Sequence, residues 1–169
     1  MADDIYLEHF QTFAAYNRWA NRRLYDACAE LSDVDYQKNK GAFFGSIHGT
    51  LNHILVGDRV WLGRIDDVDP GIKALDEILF EDLAELRTAR EIEDERIIGL
   101  VDSLDRDGLL TDLHYTTTSG EPQVTPLRRV LTHVFNHQTH HRGQAHDMLC
   151  QAAGDAPPLD LIYFLRESD

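Results

Sequence analysis

Hydrophobic residues recur at helical intervals along most of the chain. Between residues 4 and 31 they follow steps of three, four or seven, and these steps place one face of a long helix at Tyr6, Phe10, Phe13, Asn17, Leu24, Cys28 and Leu31. Ser32 is expected to end this helix, with a loop or short helical turn over residues 32–43. A second helical pattern begins at Ile47 and ends near Asp66.

The pattern changes twice in the remainder of the chain. A turn-rich connector over residues 66–73 precedes a third helix, predicted over residues 75–104 with a charged outer face and with Gly108 near its end. Residues 113–126 alternate β-favouring side chains around Ser119-Gly120, which predicts a short hairpin or extended excursion.

The last long pattern predicts a fourth helix that ends at Gly154. Pro126 suits its first turn, and Thr125 is the expected N-cap. A short tail, PPLDLIYFLRE, is expected to pack against the bundle. Four helices of similar length joined by modest connections predict an all-α fold, an antiparallel-type four-helix bundle, as one domain over residues 1–169.

Composition narrows the classes of function. A chain of 169 residues with 43% hydrophobic residues can bury one core, and it contains no apolar run long enough to span a membrane. The amino terminus is acidic and aromatic, unlike a secretory signal, so a cytoplasmic location is expected, with Cys28 and Cys150 as unpaired packing residues. A net charge of −14 and scattered Lys and Arg residues argue against nucleic-acid binding.

The fourth helix carries four histidines in the stretch HVFNHQTHHRGQ, residues 133–144. His137 and His141 are four residues apart, so their side chains project to nearly the same side and can grip one ion. His133 is eight residues from His141, roughly 12 Å along the axis, which excludes a three-ligand cluster from this helix alone. A third ligand would have to come from elsewhere.

The second helix offers His48 or His53, which point ~140° apart. His53 is the better candidate because small residues share its side of the helix, including Gly57, whose presence inside a helix costs about 1 kcal/mol relative to Ala. Three imidazoles suit Zn²⁺ or Ni²⁺ and leave coordination positions open. The alternative is that these histidines are ordinary hydrogen-bonded boundary residues.

Several polar residues on apolar faces invite both structural and functional interpretations. Asn17 and Asn21 could orient a ligand histidine or simply tie helices together. Asp58 is expected to be buried and paired, and Arg142 is expected to be structural because it points away from His137. Gln144 could bind a substrate anion or complete an internal network.

Four segments resemble the DinB/YfiT-like family of four-helix metalloproteins, and together they cover almost the whole chain. They are AAYNRWANRRL, GTLNHILVGDRVWLGRI, HVFNHQTHHRGQ and PPLDLIYFL, of which NHxxHHRGQ is the most specific. The resemblance implies metal ligands at His53, His137 and His141, an up-up-down-down-like bundle, and a homodimer.

The same resemblance leaves the reaction open, because such proteins include thiol-dependent transferases and isomerases beside many without an established activity. We therefore expect a divalent-metal-dependent enzyme that activates a water or a small thiol, in the manner of a thiol transferase or a hydrolase. The alternative is a non-catalytic metal-binding stress or damage-response protein with a structural ion. The sequence identifies no catalytic residue beyond the metal ligands.

Overall fold

Across residues 2–168, the computed structural model contains seven helices and one two-stranded sheet, so the predicted all-α fold with a short hairpin is confirmed. Met1 and Asp169 of the predicted domain lie outside the described residues. In chain order the elements are α1 (Ala2–Cys28), α2 (Asp33–Gln37), α3 (Ile47–Asp66), α4 (Leu83–Ser103), α5 (Arg106–Leu110), β1 (Asp112–Thr116), β2 (Pro122–Pro126), α6 (Leu127–Ala153) and α7 (Leu161–Ser168).

The predicted starts of two helices and the placement of Gly108 at the end of the third predicted helix were wrong. Helix α4 begins at Leu83 rather than near residue 75, because Asp82 adopts extended backbone and its side chain caps the helix by accepting from the Glu85 N–H. The helix ends at Ser103, and Gly108 lies in the separate short helix α5.

The third error concerns the start of α6. Pro126 occupies the N-cap position with no side-chain cap, and the expected cap Thr125 is instead paired with Leu113 in the hairpin. The other end of α6 is as predicted. Gly154 adopts a left-handed conformation with φ of 83°, which glycine reaches without the steric cost of a Cβ.

The long helices α1, α4, α3 and α6 form the bundle in that order around its axis. Contacts fix their directions: Phe10 stacks on Phe135 and Asn17 bonds to Arg142, so α1 and α6 run parallel. By the same reasoning α3 is antiparallel to α6, and α4 is antiparallel to α1. The topology is therefore up-down-down-up, which corrects the up-up-down-down arrangement expected from the resemblance.

A closed ring of buried polar side chains links all four long helices at mid-height. Arg90 bridges Asp58 and Asp94, Asp94 accepts from Asn17 and Asn21, both asparagines accept from Arg142, and Gln138 donates to Asp58 and accepts from Arg142. Two arginines balance two aspartates, so the charges are paired inside the core. Hydrophobic clusters lie on either side of this ring, one around Leu24, Leu51 and Leu149 and the other around Ile97, Leu131 and Phe135.

The hairpin of β1 and β2 packs beside the bundle between α3 and the start of α6. Its strands are antiparallel, with Tyr115 opposite Gln123. The Tyr115 ring meets the Trp61 ring of α3 edge-on at 5.2 Å between centroids. None of the helices in residues 2–168 combines the length and hydrophobicity needed to cross a membrane.

Candidate metal centre

The structure brings together the three histidines that the sequence selected. Nε2 of His53 on α3 lies 3.1 Å from Nε2 of His137 and 3.2 Å from Nε2 of His141, both on α6. One ligand atom from each ring lies within 4.8 Å of the others. Nitrogens about 2.0–2.1 Å from one tetrahedral zinc ion are roughly 3.3 Å apart, so the spacing suits a shared ion.

The opposite nitrogens of two of these rings are held by hydrogen bonds. Nδ1 of His53 donates to the Leu75 carbonyl at 2.7 Å, and Nδ1 of His141 donates to Oε1 of Gln144 at 2.8 Å. An imidazole that donates through Nδ1 presents an unprotonated Nε2, which is the ligating form. The tautomers favoured by these bonds therefore direct two lone pairs toward the third ring.

Burial keeps the three rings neutral. It lowers the pKa of His137 to about 3, with further lowering by the charges of His141 and His53. Burial also lowers the pKa of His53, partly offset by the Leu75 bond and by Asp76, and that of His141, partly offset by Gln144. The lone pairs of neutral imidazoles repel one another at these distances, and a cation bound between them would relieve that repulsion. The group therefore fits a divalent ion.

Gly57 explains how the His137 ring reaches this position. A Cβ at residue 57 would lie 2.7 Å from Cε1 of His137, so any larger residue would displace the ring. The helical glycine whose cost the sequence raised therefore leaves room for His137.

An aromatic side chain that sequence reasoning did not assign to the site covers the group. Phe44, which precedes α3, stacks on His53 with 3.7 Å between centroids and meets His141 edge-on at 5.5 Å. Loop residues such as Phe44 follow no helical repeat, so only its closeness to the second helix could have suggested this role.

The other histidines considered lie outside the group. His48 is buried, and its Nε2 donates to the Phe80 carbonyl at 3.0 Å. His140 is exposed and contacts Gln144, whereas His133 packs against Trp61 and approaches the His137 ring to 5.7 Å. The loop after α3 folds over His48 and leaves it buried, outside the three-histidine group.

The same loop is held in place by a residue of α3 that sequence reasoning missed. Asn52 is fully buried, and its Oδ1 accepts from the Leu79 and Phe80 N–H groups. This asparagine anchors the connector of residues 67–82, which in turn brings the Leu75 carbonyl to His53. A polar residue on a buried side of a helix indicates that it has a hydrogen-bond partner. The sequence does not indicate which loop provides that partner.

The remaining polar candidates are structural, with one exception. Asn17, Asn21 and Arg142 belong to the buried ring, and the predicted pairing of Asp58 is confirmed by Arg90. Gln144 instead contacts the site through His141.

A cavity of about 360 Å³ opens beside the histidines, between α3, α6 and the hairpin. His53 and His137 line one part of it, and Trp61, Arg64 and Tyr115 line another. A molecule in this cavity would therefore contact His53 and His137.

Two comparisons with known proteins show which family the chain belongs to. The protein-family model described as DinB family matches residues 1–168. Protein DinB of Bacillus subtilis (strain 168) is 31% identical over 160 residues, which cover 89% of this chain and 90% of that protein. With the family model spanning nearly every residue and a relative similar along most of its own length, this chain is a member of the DinB family.

Proposed function

We propose that this protein is a metal-dependent enzyme in which His53, His137 and His141 hold one divalent ion, Zn²⁺ or Ni²⁺. The observation that carries the proposal is the meeting of three Nε2 atoms from two helices, with the Nδ1 atoms of His53 and His141 engaged elsewhere. The preference between the two metals follows from an all-imidazole donor set without thiolate.

The substrate of the proposed reaction is a small molecule that enters through the adjacent cavity, and a low-molecular-weight thiol is the leading candidate. When bound, the ion supplies Lewis-acid chemistry that lowers the pKa of a water or thiol at its open position toward neutrality. The chain contributes the orientation of the ligand rings through Leu75 and Gln144, and Phe44 shields one side of them from water.

Metal analysis of six variants tests the ligand assignment. We expect wild-type protein to bind one Zn²⁺ or Ni²⁺ per chain, and His53→Ala, His137→Ala and His141→Ala each to abolish stoichiometric binding. His48→Ala, His133→Ala and His140→Ala serve as controls that retain the ion. Metal retention by any of the first three variants, or its loss in His140→Ala, would contradict the assignment.

A second candidate is a non-catalytic protein whose ion only stabilises the bundle. One observation favours it: no Asp or Glu is among the described residues that line the cavity, so a carboxylate general base is not in place there. Assays of metal-loaded protein with glutathione-like thiols and model electrophiles, and with esters, separate the two. Turnover that disappears in His137→Ala supports the enzyme, whereas no turnover with a large loss of thermal stability on chelation supports the structural ion.

A further inference from the structure

Arg64 lies on the face of α3 that lines the cavity. It is seven residues beyond Gly57, two helical turns and roughly 10 Å along the axis, and the two residues share nearly the same direction. Arg64 therefore lies about two helical turns from the part of the cavity that His53 and His137 line.

Two aromatic rings hold the Arg64 guanidinium in place. Its central carbon lies 4.5 Å from the centroid of Trp61 and 5.1 Å from that of Tyr115. These are cation–π contacts, which position the cation without using its N–H donors. Burial lowers the pKa of Arg64, as expected for a half-buried cation whose solvation is incomplete.

No carboxylate of the described residues pairs with Arg64, although the chain has 30 acidic residues for 16 Lys and Arg. Other arginines at helix contacts, such as Arg18 and Arg87, are bonded to Asp or Glu. The donors of Arg64 are thus left for a group that enters the cavity.

We propose that this cavity binds a small organic carboxylate, with the carboxylate on Arg64, the apolar part of the molecule against Trp61 and Val60, and the reacting end toward His53 and His137. This inference names the substrate class of the proposed function and rests on that function for its biological meaning. The guanidinium fork matches a carboxylate in shape, and both N–H···O bonds of such a pair are charge-assisted.

The residues that line the cavity favour a ligand with a single negative charge. Arg64 is the one Lys or Arg among the described residues that line the cavity, whose other polar groups include the hydroxyls of Thr117 and Thr118 and the imidazole of His133. Burial and the charge of Arg64 both lower the pKa of His133, so this ring adds no second positive charge. A phosphate dianion would leave one charge without a partner in a partly desolvated site. A volume of about 360 Å³ is at the lower end for ligand pockets and suits a compact molecule.

The test measures ligand binding to full-length protein dialysed against EDTA, so that no ion can attract the carboxylate. Isothermal titration calorimetry with 3-phenylpropionate and its neutral amide compares two ligands that share one carbon skeleton and differ in charge. We expect the acid to bind at least tenfold more tightly than the amide, Arg64→Gln to remove that preference, and Arg64→Lys to keep part of it. Arg23→Gln is the matched control, because Arg23 also stacks on a tryptophan, Trp19, but lies outside the cavity.

Equal affinity for acid and amide, or an unchanged preference in Arg64→Gln, would overturn the inference. Tighter binding of phenyl phosphate than of the carboxylate would overturn the choice of a monoanion. Circular dichroism of each variant verifies the fold. Zn²⁺ titration of the same wild-type preparation is independent of these results, so failure of the metal site and failure of the carboxylate subsite are distinguishable.

Discussion

Gly57 of α3 and His137 of α6 are in such close contact that a single added carbon on the glycine would lie 2.7 Å from the imidazole. We expect Gly57→Ala to rotate or displace the His137 ring and to weaken Zn²⁺ binding by at least tenfold, while the variant still folds. Competition with a chromogenic chelator measures the affinity.

Gly143→Ala is the control for this substitution. Gly143 is on the same helix as His137, and a Cβ there meets nothing within 4 Å. This change replaces a helical glycine by alanine and is expected to stabilise the protein by up to about 1 kcal/mol without altering Zn²⁺ affinity. Equal affinities for both alanine variants would show that the His137 ring tolerates the lost space.

Gln144→Ala removes the acceptor that orients His141. Because the Nδ1–H of His141 then loses its partner at 2.8 Å, we expect Zn²⁺ affinity to fall 10- to 100-fold, as is typical when a hydrogen bond behind a ligand is lost. Gln151→Ala, on the exposed part of the same helix, is expected to have no effect. Unchanged binding in Gln144→Ala would indicate that packing alone holds the ring.

Arg142→Met breaks the buried ring and leaves the amide oxygens of Asn17 and Asn21 without their shared donor. We expect the free energy of unfolding to fall by about 3–5 kcal/mol, as for other buried charge networks that lose one member. Arg18→Met removes an exposed pair with Glu95 and is expected to cost less than about 1 kcal/mol. Urea unfolding of both variants gives the comparison, and similar losses would argue against the ring as a source of stability.

Alkaline pH is expected to destabilise the fold through Cys28. Burial raises the pKa of this thiol from 9.0 to about 12, so the unfolded chain loses the proton first. The stability contributed by Cys28 is fully present below pH 9 and is lost as pH rises toward 12, with a slope of up to about 1.4 kcal/mol per pH unit.

Urea unfolding of wild type and Cys28→Ala between pH 8 and 11 measures this effect. The alanine variant starts from a lower stability because of its lost packing, but its decline with pH is expected to be shallower. Residual decline comes from Tyr25 and Tyr36, whose pKa values burial also raises. Parallel curves for the two proteins would contradict the role of the thiol.

Helical periodicity predicted that His137 and His141 share one side of α6, whereas the choice of His53 over His48 rested on the small residues beside it and on the family resemblance. In the structure, His53 does meet His137 and His141. The contributions of Phe44 and the Leu75 carbonyl could not be predicted in this way, since both lie in irregular segments placed by tertiary contacts.

The late start of α4 has a related cause. Residues 75–82 are compatible with a helical pattern, yet Asn52 binds the backbone of Leu79 and Phe80 and thereby competes with helix formation there. The hydrogen bonds of a buried side chain on another helix thus outweigh the local preference of these residues for a helix. Such bonds cannot be predicted from the sequence of the segment alone.

The placement of the hairpin separates two properties of the molecule. Its Tyr115 and Thr117 form one wall of the cavity, yet the three histidines and the buried ring belong to the long helices. Exchanging residues 112–126 for those of a related protein is therefore expected to change which ligands the cavity accepts. Metal binding and the helical bundle are expected to stay the same, so this segment is a suitable target for altering ligand selectivity.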